Sequence, residues 1–243
     1  MNEKCNSFRD KVGAIIFARM DSKRLNGKAL VNIMGQPLLD HILARVRGIC
    51  SEMPVVLATT NRKIDIPLVG WAQKKQIKVY YGPLKNVLLR AIYCAEEFGF
   101  SGFVRVCADR PFLDPKINAR LIEIYHATNS DLATNALTKS FPTGAMAEVI
   151  RLSALKGIMA QNPEPEDLEH LTRYIYRNPQ HFRIENICSD DPTLSHISLA
   201  IDTAADLQRT RWMFEQMSNP QAASFQEVVG LARAWTQKQE WCP

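Results

Sequence analysis

The amino-acid sequence predicts an α/β fold in which helices cover both faces of a mostly parallel sheet. Short apolar stretches with strand character alternate with amphipathic helical stretches through the first half of the chain. This alternation is typical of Rossmann-like parallel sheets, whose crossover helices bury both faces. The 243 residues, 46% of them hydrophobic, suffice for one domain with a full core. We therefore predict a single domain over residues 1–243.

The predicted elements follow from apolar periodicity and from the residues that start and stop helices. Strands are predicted at 12–18, 55–60, 78–81, 102–107, 147–150, 182–187 and 197–202, and helices at 38–49, 69–76, 86–98, 115–129, 168–176, 203–217 and 224–238. Pro37 and the pair Asp114–Pro115 mark helix starts, because proline fits the first helical position and aspartate caps it. The alternation weakens between residues 131 and 162.

The composition of the chain indicates which kinds of ligand and partner the protein can bind. The net charge of +5 suits an anionic ligand, but no basic tract accompanies a recognised nucleic-acid module, so we predict no nucleic-acid partner. Six cysteines without a C-x-x-C pair predict free thiols rather than a zinc ribbon or a disulfide framework. No apolar run reaches membrane-spanning length, and residues 1–11 contain no apolar stretch of the kind that signal peptides have. These features predict a cytoplasmic protein without a membrane partner.

The most informative stretch is residues 18–28, ARMDSKRLNGK, which we call the basic loop. It directly follows a predicted strand, and fixed cations and backbone N–H groups at such a strand end bind polyanions. Arginine offers a fork to phosphate oxygens and lysine a mobile point charge. The chain contains neither a Walker loop nor a G-x-G-x-x-G motif. The predicted phosphate ligands are Arg19 and Lys28, supported by Ser22 and Arg24; a merely solvated basic loop is the alternative.

Two aspartates that are distant in sequence each follow an apolar stretch. Asp109 and Asp202 are expected at the same carboxyl edge of the sheet as the basic loop. A carboxylate there can hold Mg²⁺ together with substrate phosphate oxygens, although Asp109 could instead cap a turn. Asp114 and Asp206 stand where helices begin, and we predict that they are caps.

Four stretches are similar to one family. ARMDSKRLNGK resembles the ARMGSTRLPGK signature of cytidylyltransferases that include spore-coat polysaccharide synthesis proteins and relatives that make CMP-activated acidic sugars. VRVCADRPFLDP at 104–115 resembles the family's VRITGDCPLIDP, and LEHLTRYIYRNP at 168–179 resembles REHVTPYIYNNP. LAIDTAADL at 199–207 resembles VDTPEDL. The resemblance covers about residues 12–217, and the matches occur in the family's order.

The resemblance implies a Mg²⁺-dependent transfer of CMP from CTP. Asp109 and Asp202 would share the metal and the triphosphate, and Arg19 and Lys28 would act in catalysis. Residues expected around the nucleotide are Ala18, Ala58, Thr59, Thr60 and Arg90. An acceptor oxygen would attack the α-phosphorus and expel pyrophosphate, with catalysis by positioning and charge stabilisation. The acceptor is expected to be anionic, an acidic sugar such as a nonulosonate or a phosphonate.

The resemblance also implies a homodimer, with about residues 138–190 as an excursion that packs against the second subunit. Several positions depart from the family's pattern. Asp21 replaces a glycine, Asn26 replaces a proline and Ala108 replaces a glycine. In the stretch that corresponds to the family's YPDGLDVEVF, Thr143 and Met146 replace the two aspartates, while the residues retained are Pro142, Gly144 and Glu148. Asp21 leaves open a non-catalytic binding subunit. A nucleotide-sugar glycosyltransferase is a further alternative, disfavoured because the chain has no Asp-x-Asp.

Overall fold

The computed structural model describes residues 11–22 and 24–240. The predictions for Lys23, for Cys5 and Cys242 and for the N-terminal residues 1–10 lie outside these ranges. The strands are β1 (Val12–Phe17), β2 (Asn32–Ile33), β3 (Gln36–Pro37), β4 (Val55–Thr59), β5 (Lys78–Tyr81), β6 (Gly102–Cys107), β7 (Leu132–Thr134), β8 (Glu148–Arg151) and β9 (Ile184–Asn186). The helices are α1 (Leu38–Arg47), α2 (Ile66–Lys74), α3 (Val87–Glu97), α4 (Pro115–Thr128), α5 (Leu152–Met159), α6 (Pro165–Glu169), α7 (Arg173–Arg177), α8 (Ala204–Gln216) and α9 (Phe225–Glu240).

Seven strands form one sheet in the order β5-β4-β1-β6-β8-β7-β9, while β2 and β3 form a separate short hairpin. Within this sheet only β8 is antiparallel to its neighbours, and the other strands run in one direction. The central pair β1 and β6 is in register from Val12 opposite Gly102 to Phe17 opposite Cys107. The predicted mostly parallel α/β fold is confirmed.

Successive apolar residues along β1 face opposite sides of the sheet. Ala14 and Ile16 belong to a core packed by α1, α2, α4, α8 and α9. Ile15 belongs to a second core packed by α3, α5 and α7. The sheet is therefore buried on both faces by helices, as the unbroken apolar sequence of β1 predicts. Among the described residues, no helix combines the length and apolar character needed to cross a bilayer.

Two predicted elements are wrong in detail. Residues 197–202 are extended but lie beside the 141–146 turn rather than in the sheet, with one isolated bridge between Ser198 and Thr143. The predicted helix at 168–176 is divided into α6 and α7, because His170 has φ −106° and ψ 89° and the chain turns Leu171 and Thr172 inward. The segment 138–190 also supplies β8 and β9 to the main sheet.

A buried arginine ties the first helix to two distant segments. Arg45 is 1% exposed, and its Nε donates to the Leu113 carbonyl at 2.6 Å. Its two terminal nitrogens donate to the carbonyls of Pro220 and Ala223 at 3.0 and 3.1 Å. These bonds fix the C-terminal segment against α1 and against the loop that follows β6.

We expect Arg45→Met to lower the free energy of unfolding by about 3 kcal/mol, because three buried carbonyls lose a charged donor. Arg47 is the matched control, since it is exposed and donates to one carbonyl, that of Lys75. Arg47→Met should change the stability by less than about 0.5 kcal/mol. Chemical denaturation measures both, and an equal effect of the two substitutions would contradict this account.

Candidate active site

Three parallel strands end at one edge of the sheet, and the residues after each form the candidate site. The Ala18 N–H donates to the Ala58 carbonyl, and the Ala108 N–H donates to the Phe17 carbonyl, both at 3.4 Å. The basic loop after β1 is thereby placed between the segments that follow β4 and β6. Ligands of open α/β sheets bind in the crevice outside these strand ends.

The basic loop folds back on itself at a glycine. Gly27 has φ 69°, a left-handed conformation that favours glycine, and its N–H donates to the Met20 carbonyl at 2.8 Å. A short 3-10 turn, Lys28–Leu30, begins at the next residue. This closure turns Lys28 towards the protein, where its side chain is only 13% exposed.

The structure brings both predicted metal-binding aspartates to the same lysine. Lys28 Nζ lies 3.1 Å from Asp109 Oδ2 and 3.4 Å from Asp202 Oδ1. The same nitrogen donates to the Ile201 carbonyl at 2.9 Å, and the Ile201 N–H donates to the Asp109 carbonyl. Arg24 reaches Asp202 Oδ1 from the solvent side at 2.9 Å. Two cations and two carboxylates from three distant parts of the chain therefore converge.

The carboxylates of Asp109 and Asp202 suit Mg²⁺ if substrate oxygens supply the remaining metal ligands. In the described part of the chain, no group of three or more His, Cys, Asp or Glu side chains is placed to hold a metal. Asp109 and Asp202 provide two carboxylates, and Mg²⁺ is commonly held by one or two carboxylates plus substrate phosphates and water. The residues thus suit a metal that arrives with a phosphate ligand.

A second charged cluster lies beside the basic loop and was missed by the sequence predictions. Arg62 Nη1 donates to Asp21 Oδ2 at 2.5 Å, and Arg62 Nη2 donates to Asp65 Oδ2 at 2.9 Å. Asp65 is fully buried and accepts from the Met20 N–H at 2.8 Å and from the Thr60 hydroxyl. Arg62 and Asp65 follow the polar end of β4, so the strand-end argument used for the aspartates also applies to them.

Asp21 departs from the family's pattern, yet its charge is balanced. The hydrogen bond from Arg62 is the main cause that holds the pKa of Asp21 below its usual value, against the opposing effect of burial. Arg19 Nε lies 3.7 Å from Asp21 Oδ1, and Arg19 Nη1 donates to the Leu84 carbonyl at 3.2 Å. Arg19 is thus a partly exposed cation that is held by the Leu84 carbonyl and only weakly engaged by Asp21.

The residues expected around the nucleotide are largely enclosed by protein. Those with at most 4% exposure are Ala18, Ala58, Thr59, Thr60 and Arg90. Burial lowers the pKa of Arg90 to about 10, and its Nη1 donates to the Pro83 carbonyl at 3.0 Å. The hydroxyl of Thr60 binds Asp65. Ala58 and Thr59 are 0% exposed, and their carbonyls already accept from the Ala18 and Gly82 N–H groups. The structure therefore shows no surface of either residue that a ligand could contact, whereas Ser22 is half-buried in the loop.

The turn at 141–146 borders the site on the side of Asp109. Gly144 has φ 95°, and a Cβ there would lie 2.5 Å from the Ala200 nitrogen, so the turn packs closely on the segment that leads to Asp202. Arg110, next to Asp109, donates to the Met146 carbonyl at 2.8 Å. No ion pair of Arg110 is found among the described residues. This half-buried cation was also missed by the sequence predictions.

Behind the turn lies a buried acid that the family's pattern retains. Glu148 Oε2 accepts from Arg105 Nη1, and Glu148 Oε1 accepts from the Tyr176 hydroxyl, both at 2.7 Å. Burial alone would raise the pKa of Glu148, but Arg105, Arg110 and these hydrogen bonds hold the pKa below its usual value. Glu148 is therefore a structural anion that links β8 to β6 and α7.

Comparison with known proteins identifies the class. Residues 13–219 match the cytidylyltransferase family. The spore coat polysaccharide biosynthesis protein SpsF of Bacillus subtilis is 28% identical, over 89% of this chain and 92% of its own length. A cytidylyltransferase structure from Leptospira borgpetersenii has a TM-score of 0.86 at 24% identity, covering 95% of this chain and 96% of that one. The structure of CMP:2-keto-3-deoxy-manno-octonic acid synthetase complexed with CTP has a TM-score of 0.62 at 18% identity, covering 85% and 99%.

The fold and the site define a nucleotidyltransferase. The family match covers most of the chain, and the chain belongs to the cytidylyltransferase family.

We expect Glu148→Gln to lower the free energy of unfolding by about 3 kcal/mol at pH 7, because Arg105 would lose its buried partner. The folded pKa of Glu148 lies below its ordinary value of 4.5. Its stabilising contribution is therefore complete above that pH and is lost as the pH falls through the folded pKa. Denaturation curves between pH 7 and pH 3 should show the two proteins converging in acid. A constant difference at every pH would contradict this assignment.

Proposed function

We propose that this protein is a Mg²⁺-dependent cytidylyltransferase that transfers CMP from CTP to an anionic acceptor and releases pyrophosphate. The observation that carries the proposal is the convergence of Asp109 and Asp202 on Lys28, beside the basic loop. Family membership supports the cytidylyl group. The similar synthetase solved in complex with CTP supports CTP as the nucleotide.

Charge balance explains why carboxylates and cations are needed together. A nucleoside triphosphate carries about four negative charges, and two aspartates alone would repel it. Bound Mg²⁺ would neutralise the carboxylates and the phosphate oxygens and would stabilise charge on the leaving pyrophosphate. Lys28, drawn away from the aspartates by the phosphates, would bind an oxygen near the α-phosphorus. Arg19 would bind the leaving phosphates, and Arg24 and Ser22 would support it.

The reaction itself needs little more than positioning. The acceptor oxygen attacks the α-phosphorus, the bond from that phosphorus to the bridging oxygen breaks, and pyrophosphate leaves with the bonding electrons. The proton of an acceptor hydroxyl passes to solvent or to a nearby carboxylate. No covalent enzyme intermediate is required, and the residues contribute orientation and preorganised charge.

Arg110 supports an anionic acceptor. Arg110 follows Asp109 in the chain, its guanidinium is held by the Met146 carbonyl, and it retains donors for a carboxylate or a phosphonate. The acidic-sugar and phosphonate acceptors expected from the sequence both present such a group. The homodimer, the docking role of residues 138–190 and the cytoplasmic location stay predictions of the sequence.

The non-catalytic alternative loses its main support. It rested on the negative charge of Asp21 in the basic loop, and Arg62 pairs with that charge. The convergence of Asp109 and Asp202 on Lys28 further supports a catalytic role over a non-catalytic one.

Pyrophosphate release is the direct test of the proposed function. CTP, ATP, GTP and UTP should each be incubated with the protein, acidic-sugar and phosphonate acceptors, and Mg²⁺ or EDTA. We expect release with CTP and Mg²⁺ only, and a loss of at least about 100-fold in Asp109→Asn, because one metal-binding charge is removed. Asp190→Asn, an exposed aspartate outside the site, should retain full activity. Undiminished turnover in Asp109→Asn would remove it from the metal site.

Arg110→Ala tests the side on which the acceptor binds. We expect the KM for the acceptor to rise at least about tenfold, the cost of one charged hydrogen bond, while the dissociation constant of Mg²⁺–CTP stays within about twofold. Arg120→Ala removes an exposed arginine of α4 and serves as the control. Equal KM values in the two variants would place the acceptor elsewhere.

A further inference from the structure

The charged cluster beside the basic loop contains a carboxylate with no access to solvent. Asp65 is 0% exposed and stands between β4 and α2. Its Oδ1 accepts from the Met20 N–H of the basic loop at 2.8 Å, and its Oδ2 accepts from the Thr60 hydroxyl and from Arg62. A buried carboxylate requires such partners, since an unpaired charge in the interior is strongly unfavourable.

Arg62 extends this cluster to the surface of the site. Its Nε donates to the Thr60 hydroxyl at 3.0 Å and lies 3.2 Å from Asp65 Oδ2. The opposite side of the guanidinium binds Asp21 of the basic loop at 2.5 Å. The planar fork of arginine suits this role, because it engages two carboxylates at once in fixed directions.

We propose that Asp65, Arg62 and Asp21 form an ionic clamp that fixes the basic loop to the end of β4 and neutralises Asp21, so that the loop can receive a triphosphate. The clamp holds the loop at two successive positions, the Met20 backbone through Asp65 and the Asp21 side chain through Arg62. These are positioning residues: they act on the ligand through the loop. The triphosphate in this statement rests on the proposed function, whereas the fixing of the loop does not.

The clamp also changes the electrostatic potential that a triphosphate would meet at the basic loop. An unpaired Asp21 carboxylate would repel the triphosphate and would also compete for Arg19, which already lies 3.7 Å from it. With Arg62 in place, one of the clamp's two carboxylate charges is compensated, and the positive potential of Arg19, Arg24 and Lys28 acts on the ligand. Removing Arg62 therefore exposes a negative charge, and removing Asp21 as well cancels that charge.

A double-mutant cycle on triphosphate binding tests the neutralising role. We expect Arg62→Ala to raise the dissociation constant of Mg²⁺–CTP at least about tenfold, or 1.4 kcal/mol, measured by calorimetry. In the Asp21→Gly background, Arg62→Ala should raise the dissociation constant by no more than about threefold, because no unpaired carboxylate is left at position 21. Lys63→Ala removes a neighbouring exposed cation and should have little effect. A double variant no better than Arg62→Ala alone would overturn the neutralising role.

Hydrogen exchange tests the clamp without any ligand. We expect the Met20 amide to exchange at least about tenfold faster in Asp65→Ala, because its buried acceptor is lost. Asp65→Asn keeps an acceptor oxygen and should preserve most of the protection, while amides of β1 should be unchanged in both. Should either Asp65 variant fail to fold, the exchange rate of the Met20 amide can be measured in Arg62→Ala instead, since this substitution loosens the loop through Asp21.

The two experiments separate the clamp from the proposed function. If the original protein binds no triphosphate but the Met20 amide responds as expected, the clamp stands and the proposed function fails. If triphosphate binds and neither the cycle nor the exchange responds, the clamp is overturned and the proposed function stands.

Discussion

The site depends on one electrostatic constraint: the negative charges of Asp109 and Asp202 must be compensated where they meet. Lys28 provides that compensation from the basic loop, with Arg24 beside it. The parallel sheet makes the meeting possible, because β1 and β6 are adjacent and end at the same edge. Asp202 comes from an extended segment whose Ile201 N–H donates to the Asp109 carbonyl.

A second balance of charge surrounds the other side of the basic loop. Asp21 would oppose a polyanion if its charge were free, yet Arg62 pairs with it and lowers its pKa. Asp65 anchors that arginine from the interior. The position that departs most sharply from the family's pattern is therefore joined to two residues outside the motif. The substitution at position 21 can be understood only together with Arg62, the side chain that compensates for its charge.

Several features of the fold and site could be predicted from residues alone. The unbroken apolar run of β1 predicted the central strand, which the structure confirms; anion binding by the four cations that follow it stays a prediction. Asp114 and Asp206 were expected to cap helices, and each does so: Asp114 accepts from the Ile117 N–H, and Asp206 completes a capping box with Thr203. These outcomes depend on interactions within a few residues, which periodicity and local hydrogen bonding determine.

Other features were decided by contacts between distant segments. Residues 197–202 have strand-like composition, but tertiary packing places them beside the 141–146 turn instead of in the sheet. Arg62 and Arg110 each follow a strand end, but their hydrogen-bond partners come from distant segments, Asp21 for Arg62 and the Met146 carbonyl for Arg110. The sequence by itself determined the α/β class and the positions of the basic loop and of Asp109 after buried strands, because these depend on local apolar patterns and charge. Only the tertiary structure decided which charges meet, because ion pairs form between side chains that the sheet order brings together.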